Sequence, residues 1–441
     1  MISSIIALLV VLWGWSGVKN HQWRFICAAV CLLTNIFGLN LPEGSIKYYD
    51  FFVMLMAYPL LFCVRWKNLF DNFKKDKVGK LVFVINIYIL FTFIWTVLLG
   101  SESFSYAFKV YRTYWYFWAY YYLRTIPYEE YKRAFKILFY ITVVCGVLFL
   151  LQLFGIELLA GGKEFDVSSG QVERMRNIPK LTIILLFSLL FPIAKMRTRI
   201  LLGLMWTGIL VLSQHRGMML SLCMAIPILY WVRGKLGKII KFGFVGVCIV
   251  VIFSPLLMQR FGKDEGGMSM TQEISKGLDF SDVKYEDASD GTFLFRTFMI
   301  SERVEYMVKS PLNFVFGCGL LHEDSPAVSQ RFRFLIGSAK PDPKTGEFTI
   351  QQQLDTNDVA FLTIFMKMGI VGLFLLLLLY KRMFKIFVKA GNYFSSNIGF
   401  LFLTFCLLRV LSGDEFSSLG YFLIFTFCVN SYNSKNKLYQ K

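Results

Sequence analysis

The chain has 441 residues, 56% of them hydrophobic and 17% charged, with a formal net charge of +18. A soluble domain carries about a quarter charged residues; here long apolar blocks alternate with short basic segments, which excludes a large soluble fold. The Lys and Arg concentrate in those segments, where membrane orientation accounts for them, and no nucleic-acid-binding motif accompanies the charge, so no nucleic-acid partner is expected.

A membrane span needs roughly 17 to 25 apolar residues. In chain order the sequence predicts helices at 2–18, 24–40, 50–64, 81–99, 104–123, 134–155, 179–194, 200–213, 217–232, 239–257, 359–380, 395–411 and 416–431. The expected fold class is an all-α integral membrane protein of about 12–14 transmembrane helices, thirteen on this reading. The blocks at 50–64 and 200–213 are short and read as longer helices or as re-entrant segments. The N-terminal block lacks a basic n-region and a clear small-residue cleavage site, so it reads as a span and not as a cleavable signal.

Orientation follows from the connections. The loops at 19–24, 65–80, 124–133, 195–199, 233–241, 381–389 and the tail at 435–441 are basic. The alternate short loops hold only Lys47, Lys163, Arg174, Arg176 and Arg216. Basic loops stay in the cytoplasm, so the N-terminus is expected outside and the C-terminus inside. The chain then divides into an N-terminal bundle, 1–257, a large outer loop, 258–358, and C-terminal helices, 359–441. In a Gram-negative cell this is an inner-membrane protein with a periplasmic loop.

That loop opens with a polar stretch from Gly262 to Gly291, and a helix is predicted at 292–309. A turn, Phe316-Gly317-Cys318-Gly319, comes next, then Lys340-Pro341-Asp342-Pro343, and the chain re-enters the membrane through Leu354-Asp355-Thr356-Asn357-Asp358. Of nine cysteines only Cys318 lies in the loop, so no disulfide framework is expected there.

Four groups of residues carry chemistry. Ser213-Gln214-His215-Arg216-Gly217 interrupts an apolar stretch at the predicted outer surface. Two readings stand: a hairpin turn that needs polar residues, and a guanidinium with bidentate geometry for phosphate, with His215 beside it. In the loop helix Arg296 and Arg303 are seven apart and share a face, either as solvated charges of an amphipathic helix or as anion ligands; Glu302 and Glu305 favour local ion pairs. Asp355 and Asp358 precede a helix, where one of these polar residues is an expected N-cap and a carboxylate also suits a general base. Lys109, Arg112 and Arg409 lie at membrane depth, where charge is rare and usually faces the interior. Arg112 reads as anion-facing; Lys109 has the alternative of snorkelling outward, and Arg409 of pairing with Asp414 or Glu415. No Asp-x-Asp pair, P-loop, His/Cys metal cluster or Ser-His-Asp arrangement is present.

In these features the chain resembles the O-antigen polymerase and O-antigen ligase superfamily. Ser213 to Gly217 is similar to that family's Ser-Arg-Gly segment at a helix end, with Arg216 as its arginine. Arg296, Pro311 and Gly317-Cys318-Gly319 match its loop order of arginine, helix, proline and Gly-x-Gly turn. Thr356-Asn357 and Gly369-Ile370-Val371-Gly372 match its His-Asn pair and Gly-Ile-x-Gly turn. Thr356 stands where ligases carry a histidine, which favours the polymerase side.

The resemblance implies inverting, type C-like glycosyl transfer without metal or other cofactor. Its partners would be an undecaprenyl-pyrophosphate-linked glycan donor, a lipid-linked acceptor, membrane lipids and a chain-length regulator. Arg216 and Arg296 would stabilise the pyrophosphate leaving group, backed by Arg112, Arg303, His215 and Arg409; Asp355 or Asp358 would be the base. The alternatives are a ligase that hands the glycan to lipid A core or protein, and a lipid-linked oligosaccharide flippase. Such transporters usually show internal repeats, and none is visible here.

Overall fold

The computed structural model describes residues 2–34, 48–64, 66, 76–156, 158, 163–166, 172–175, 178–213, 216–240, 243, 292–336, 339–341, 348–350, 353–356, 359–391, 393–411, 413 and 419–439. The N-terminal part contains α1 (Ile2–Gly17), α2 (Gln22–Thr34), α3 (Tyr48–Phe62), α4 (Lys77–Leu98), α5 (Phe104–Tyr111), α6 (Ala119–Leu123), α7 (Tyr128–Leu151), α8 (Thr182–Leu189), α9 (Met196–Leu212) and α10 (Arg216–Val232). A second group comprises α11 (Thr292–Val308), α12 (Pro311–Phe316) and α13 (Pro326–Arg331), and the chain continues in α14 (Ala360–Lys389), α15 (Phe394–Leu408) and α16 (Leu419–Tyr439). Two antiparallel hairpins, β1 (Lys163–Asp166) with β2 (Val172–Met175) and β3 (Ala339–Pro341) with β4 (Phe348–Ile350), are small additions to a helical architecture.

Among the described residues, α4, α7 with its 3-10 extension to Phe154, and α14 are each long and apolar enough to cross a membrane. Shorter apolar helices accompany them, among them Gln22–Thr34, Gly217–Val232 and Phe394–Leu408. Leu98, Phe154, Leu201, Leu204 and Trp231 are each more than two-thirds exposed, a surface suited to hydrocarbon and not to water.

Local chemistry sets the helix ends. Asp76 caps α4 by accepting the Gly79 N–H at 2.9 Å, and the same carboxylate takes the Tyr120 hydroxyl and the Arg124 guanidinium. The aromatic block spends its other phenols on carbonyls: Tyr121 on Gly79 at 2.9 Å and Tyr122 on Val18 at 2.8 Å. Arg233 donates to the last carbonyls of α14, Phe387 and Val388, both at 2.8 Å. In the second group α12 and α13 start alike, each with a serine cap, Ser310 or Ser325, followed by proline at the first helical position.

Two expectations need correction. The predicted helix at 104–123 is interrupted by a 3-10 segment, Arg112–Trp118; at the break the Thr113 hydroxyl donates back to the Val110 carbonyl at 2.7 Å, a bond that tightens and bends helices. The segment at 179–194 is helical only over Thr182–Leu189, because Pro192 restricts the residue before it. At the start of α14 the N-cap Val359 makes no side-chain cap bond and the Ala360 N–H donates to the Gly413 carbonyl at 3.1 Å, while Asn357 and Asp358 lie outside the described residues. The polar stretch from Gly262 to Gly291 and all but the first residues of the predicted helix at 239–257 lie outside the described residues.

Candidate active site

The site is built around a break in α14. Gly369 has φ 64° and ψ −168°, so the helix ladder is interrupted there. Three successive carbonyls just before it take donors from outside the helix. Met366 accepts the Cys318 N–H at 2.8 Å and Lys367 the Gly319 N–H at 3.2 Å. Met368 accepts the Tyr88 hydroxyl at 2.7 Å. Freed carbonyls in a covered position need such partners. The glycines make the approach possible. A Cβ on Gly317 would collide with the Lys367 carbonyl, and one on Gly369 with the Val315 carbonyl. The segment continues onto α4, where the Leu320 N–H donates to Thr96 Oγ1 at 2.9 Å.

The break brings Lys367 to Asp355. Lys367 Nζ lies 2.5 Å from Asp355 Oδ1; the lysine side chain is 7% exposed and the aspartate 39%. Tyr114, buried in the 3-10 segment, is close enough to feel both charges. Glu323 completes the cluster from the other side. Its carboxylate accepts the N–H groups of Gln353, of Leu354 at 3.0 Å and of Asp355 at 2.9 Å. Burial, and then the Asp355 charge, push the Glu323 carboxyl above its ordinary value, against the pull of the three N–H donors.

Arg303 supports this chain segment from beneath. It is fully buried. Nε donates to the Gln353 carbonyl at 3.2 Å, Nη2 to Ile336 at 2.9 Å and Nη1 to Met299 at 3.4 Å. Its plane stacks on Phe334, 4.7 Å from the ring centre. Glu302 accepts the Leu335 and Ile336 N–H groups, and the Gln353 side chain pairs with both backbone groups of Phe334. Burial lowers the Arg303 guanidinium to about 10, with Glu302 and Glu323 opposing the shift. Its donors thus face protein carbonyls.

The remaining expected residues fall as follows. Arg216 is the first residue of α10 and Ser213 is the C-cap of α9, with Gln214 outside the described residues. His215 and Asp358 lie outside the described residues. Arg296 is half-buried on α11. Arg112 pairs with Asp50 of α3, and Arg409 is buried with its guanidinium 5.8 Å from the Phe405 ring centre. Lys109 sits over the Tyr106 ring at 4.6 Å. Thr356, at the place of the ligase histidine, donates its hydroxyl to the Val359 carbonyl at 2.7 Å, and its N–H goes to Thr363 Oγ1 at 2.9 Å.

Sequence reasoning missed Lys367, Glu323 and Tyr114. Lys367 had a signal, as the one charged residue in the apolar run from Ala360 to Tyr380, and intramembrane charge marks function by default. Glu323 had none, since its partners are backbone groups about thirty residues away.

Apolar helices carrying an ionic cluster at a helix break define the class: an integral membrane protein with a polar site built partly on a spanning helix. Within it, residues 200–377 match the family model described as O-antigen ligase, so the chain is similar to the O-antigen polymerase and ligase superfamily. No curated protein matches the chain.

Proposed function

We propose that the protein is a membrane glycosyltransferase that polymerises undecaprenyl-pyrophosphate-linked repeat units into O-antigen or a related surface polysaccharide on the periplasmic face of the inner membrane. The observation that carries this reading is the family match over 200–377, which spans Arg216, Arg296, Asp355 and the Lys367 pair. The acceptor hydroxyl oxygen attacks the anomeric carbon of the donor from the face opposite the leaving group. The bond from that carbon to the pyrophosphate oxygen breaks, and the lipid pyrophosphate leaves with the electron pair. Arg216 and Arg296 stabilise its charge, and Asp355 or Asp358 takes the hydroxyl proton. Arg112, Arg409 and His215 have supporting roles toward the anionic donor. Such chemistry calls on no metal and no other cofactor. The donor and acceptor lipids reach the site from the bilayer, and a chain-length regulator is a further partner.

Two observations bear on the acceptor. Thr356, bonded to Val359 and Thr363, stands in place of the histidine of ligases and favours polymerisation. The printed description of the matching family favours the second reading, transfer of the finished glycan to lipid A core or protein.

The glycan ladder of a deletion strain, with and without the gene restored, separates them. Lipid A core carrying a single repeat is expected for a polymerase. Loss of all repeats from lipid A, with repeats accumulating on undecaprenyl pyrophosphate, would assign a ligase. A ladder and capsule identical to wild type would overturn both.

A further inference from the structure

We propose that Glu323 and Lys367 are positioning residues that hold Asp355, from backbone and side chain respectively, in the geometry of a base. This rests on the reading of Asp355 as the residue that takes the acceptor proton. The two constraints arrive from different elements. Glu323, just past the glycine turn, ties the N–H of Asp355 and of the two residues before it. Lys367, on α14 two residues before the break, ties Oδ1. Among the described residues that leaves Oδ2 for a substrate hydroxyl, and Asp355 has the more exposed side chain of the ion pair.

The arrangement is expensive as a mere structural device. A buried ammonium on an apolar helix carries a large desolvation cost, and apolar replacement of such pairs is often neutral or stabilising. Two carboxylates converging on 353–355 repel each other, and the ammonium between helix and loop offsets that repulsion. The glycine turn and the break at Gly369 hold Lys367 and Glu323 on one scaffold. Loss of either tie frees Asp355 to shift, and a misplacement of about 1 Å costs up to about 100-fold in rate.

The test uses the full-length protein in membranes from the deletion strain, supplied with lipid-linked repeat units extracted from the source strain. The initial rate of chain extension is read per mole of enzyme. Lys367→Met and Glu323→Gln are each expected to lower kcat about 10- to 100-fold at unchanged KM. Lys367→Arg should restore part of the loss. The double variant should lose less than the product of the two single losses, since both act through one residue.

A wild-type rate in either single variant, with Asp355→Asn inactive, overturns the proposal and leaves the base reading standing. Multiplicative losses in the double variant also overturn it. Activity in Asp355→Asn removes the base reading and the proposal with it. Should Lys367→Met fail to reach the membrane, Glu323→Gln decides alone, because its residue lies outside the spanning helix.

Discussion

Glu323 and Asp355 are 32 residues apart in sequence, and the carboxylate of the first accepts the backbone N–H of the second at 2.9 Å. One acidic side chain thereby fixes the path of the backbone that presents another. The more exposed member of the Lys367–Asp355 pair is the one also held through its backbone, which is the arrangement a positioned base requires.

Arg303 and Arg296 share a helix face but should respond differently to substitution. Arg303→Met removes donors from three carbonyls and the charge that pairs with Glu302. A loss on the order of 3 kcal/mol is expected, with reduced membrane levels. Arg303→Lys should not rescue it, because an ammonium lacks the planar fork. Thermal unfolding of the detergent-solubilised protein checks this; a wild-type midpoint for Arg303→Met would remove the structural role.

Arg296→Ala and Arg216→Ala are expected to abolish long-chain polysaccharide while the protein stays at normal membrane levels. Immunoblots of membranes beside the glycan ladder give both quantities. Wild-type chain length in both variants would sink the assignment of these arginines to the leaving group.

Gly369→Ala should be more damaging than its size implies. The residue has a positive φ with ψ −168°, a combination almost confined to glycine. Its new methyl group would meet the Val315 carbonyl. Backbone strain alone costs about 1–3 kcal/mol, so loss of folded protein is expected, whereas Ile370→Val should be tolerated. Equal levels of the two variants would contradict the docking geometry.

Cys318 is 4% exposed, with its sulfur 3.6 Å from that of Met307. Burial raises its thiol to about 11. It should therefore resist a membrane-impermeant thiol reagent at pH 7 and still at pH 9, since the reactive thiolate forms only as pH approaches the raised value. Cysteine in place of the 81% exposed Asp324 should label readily in intact cells if the loop faces outward. Labelling of Asp324→Cys only after the inner membrane is broken would reverse the orientation.

What could be read from sequence follows the range of each interaction. The helix at 292–309 and the turn at Gly317 rest on local periodicity and on glycine and proline signals, and they appear nearly where expected. The first helical N–H of α14 goes to a distant carbonyl, that of Gly413, which no local pattern announces. Arg303 read as an anion ligand because its spacing from Arg296 is visible in sequence. The carbonyls of Ile336 and Gln353 that engage it are not. Lys367 is legible as the one charge in its apolar run, but its pairing with Asp355 depends on the break at Gly369.

The three carbonyls before the break in α14 have a consequence for how this protein can be handled. Two of their three donors come from the glycine turn, and Met299, Met307, Cys318 and Phe332 share one apolar cluster with Leu362, Phe365 and Met366. The first turns of α14 are therefore part of the interior of the segment that precedes them. An excised fragment ending before Ala360 would expose that interior and leave the turn's N–H groups without acceptors. Antibodies raised against such a fragment should recognise the unfolded chain better than the protein in the membrane.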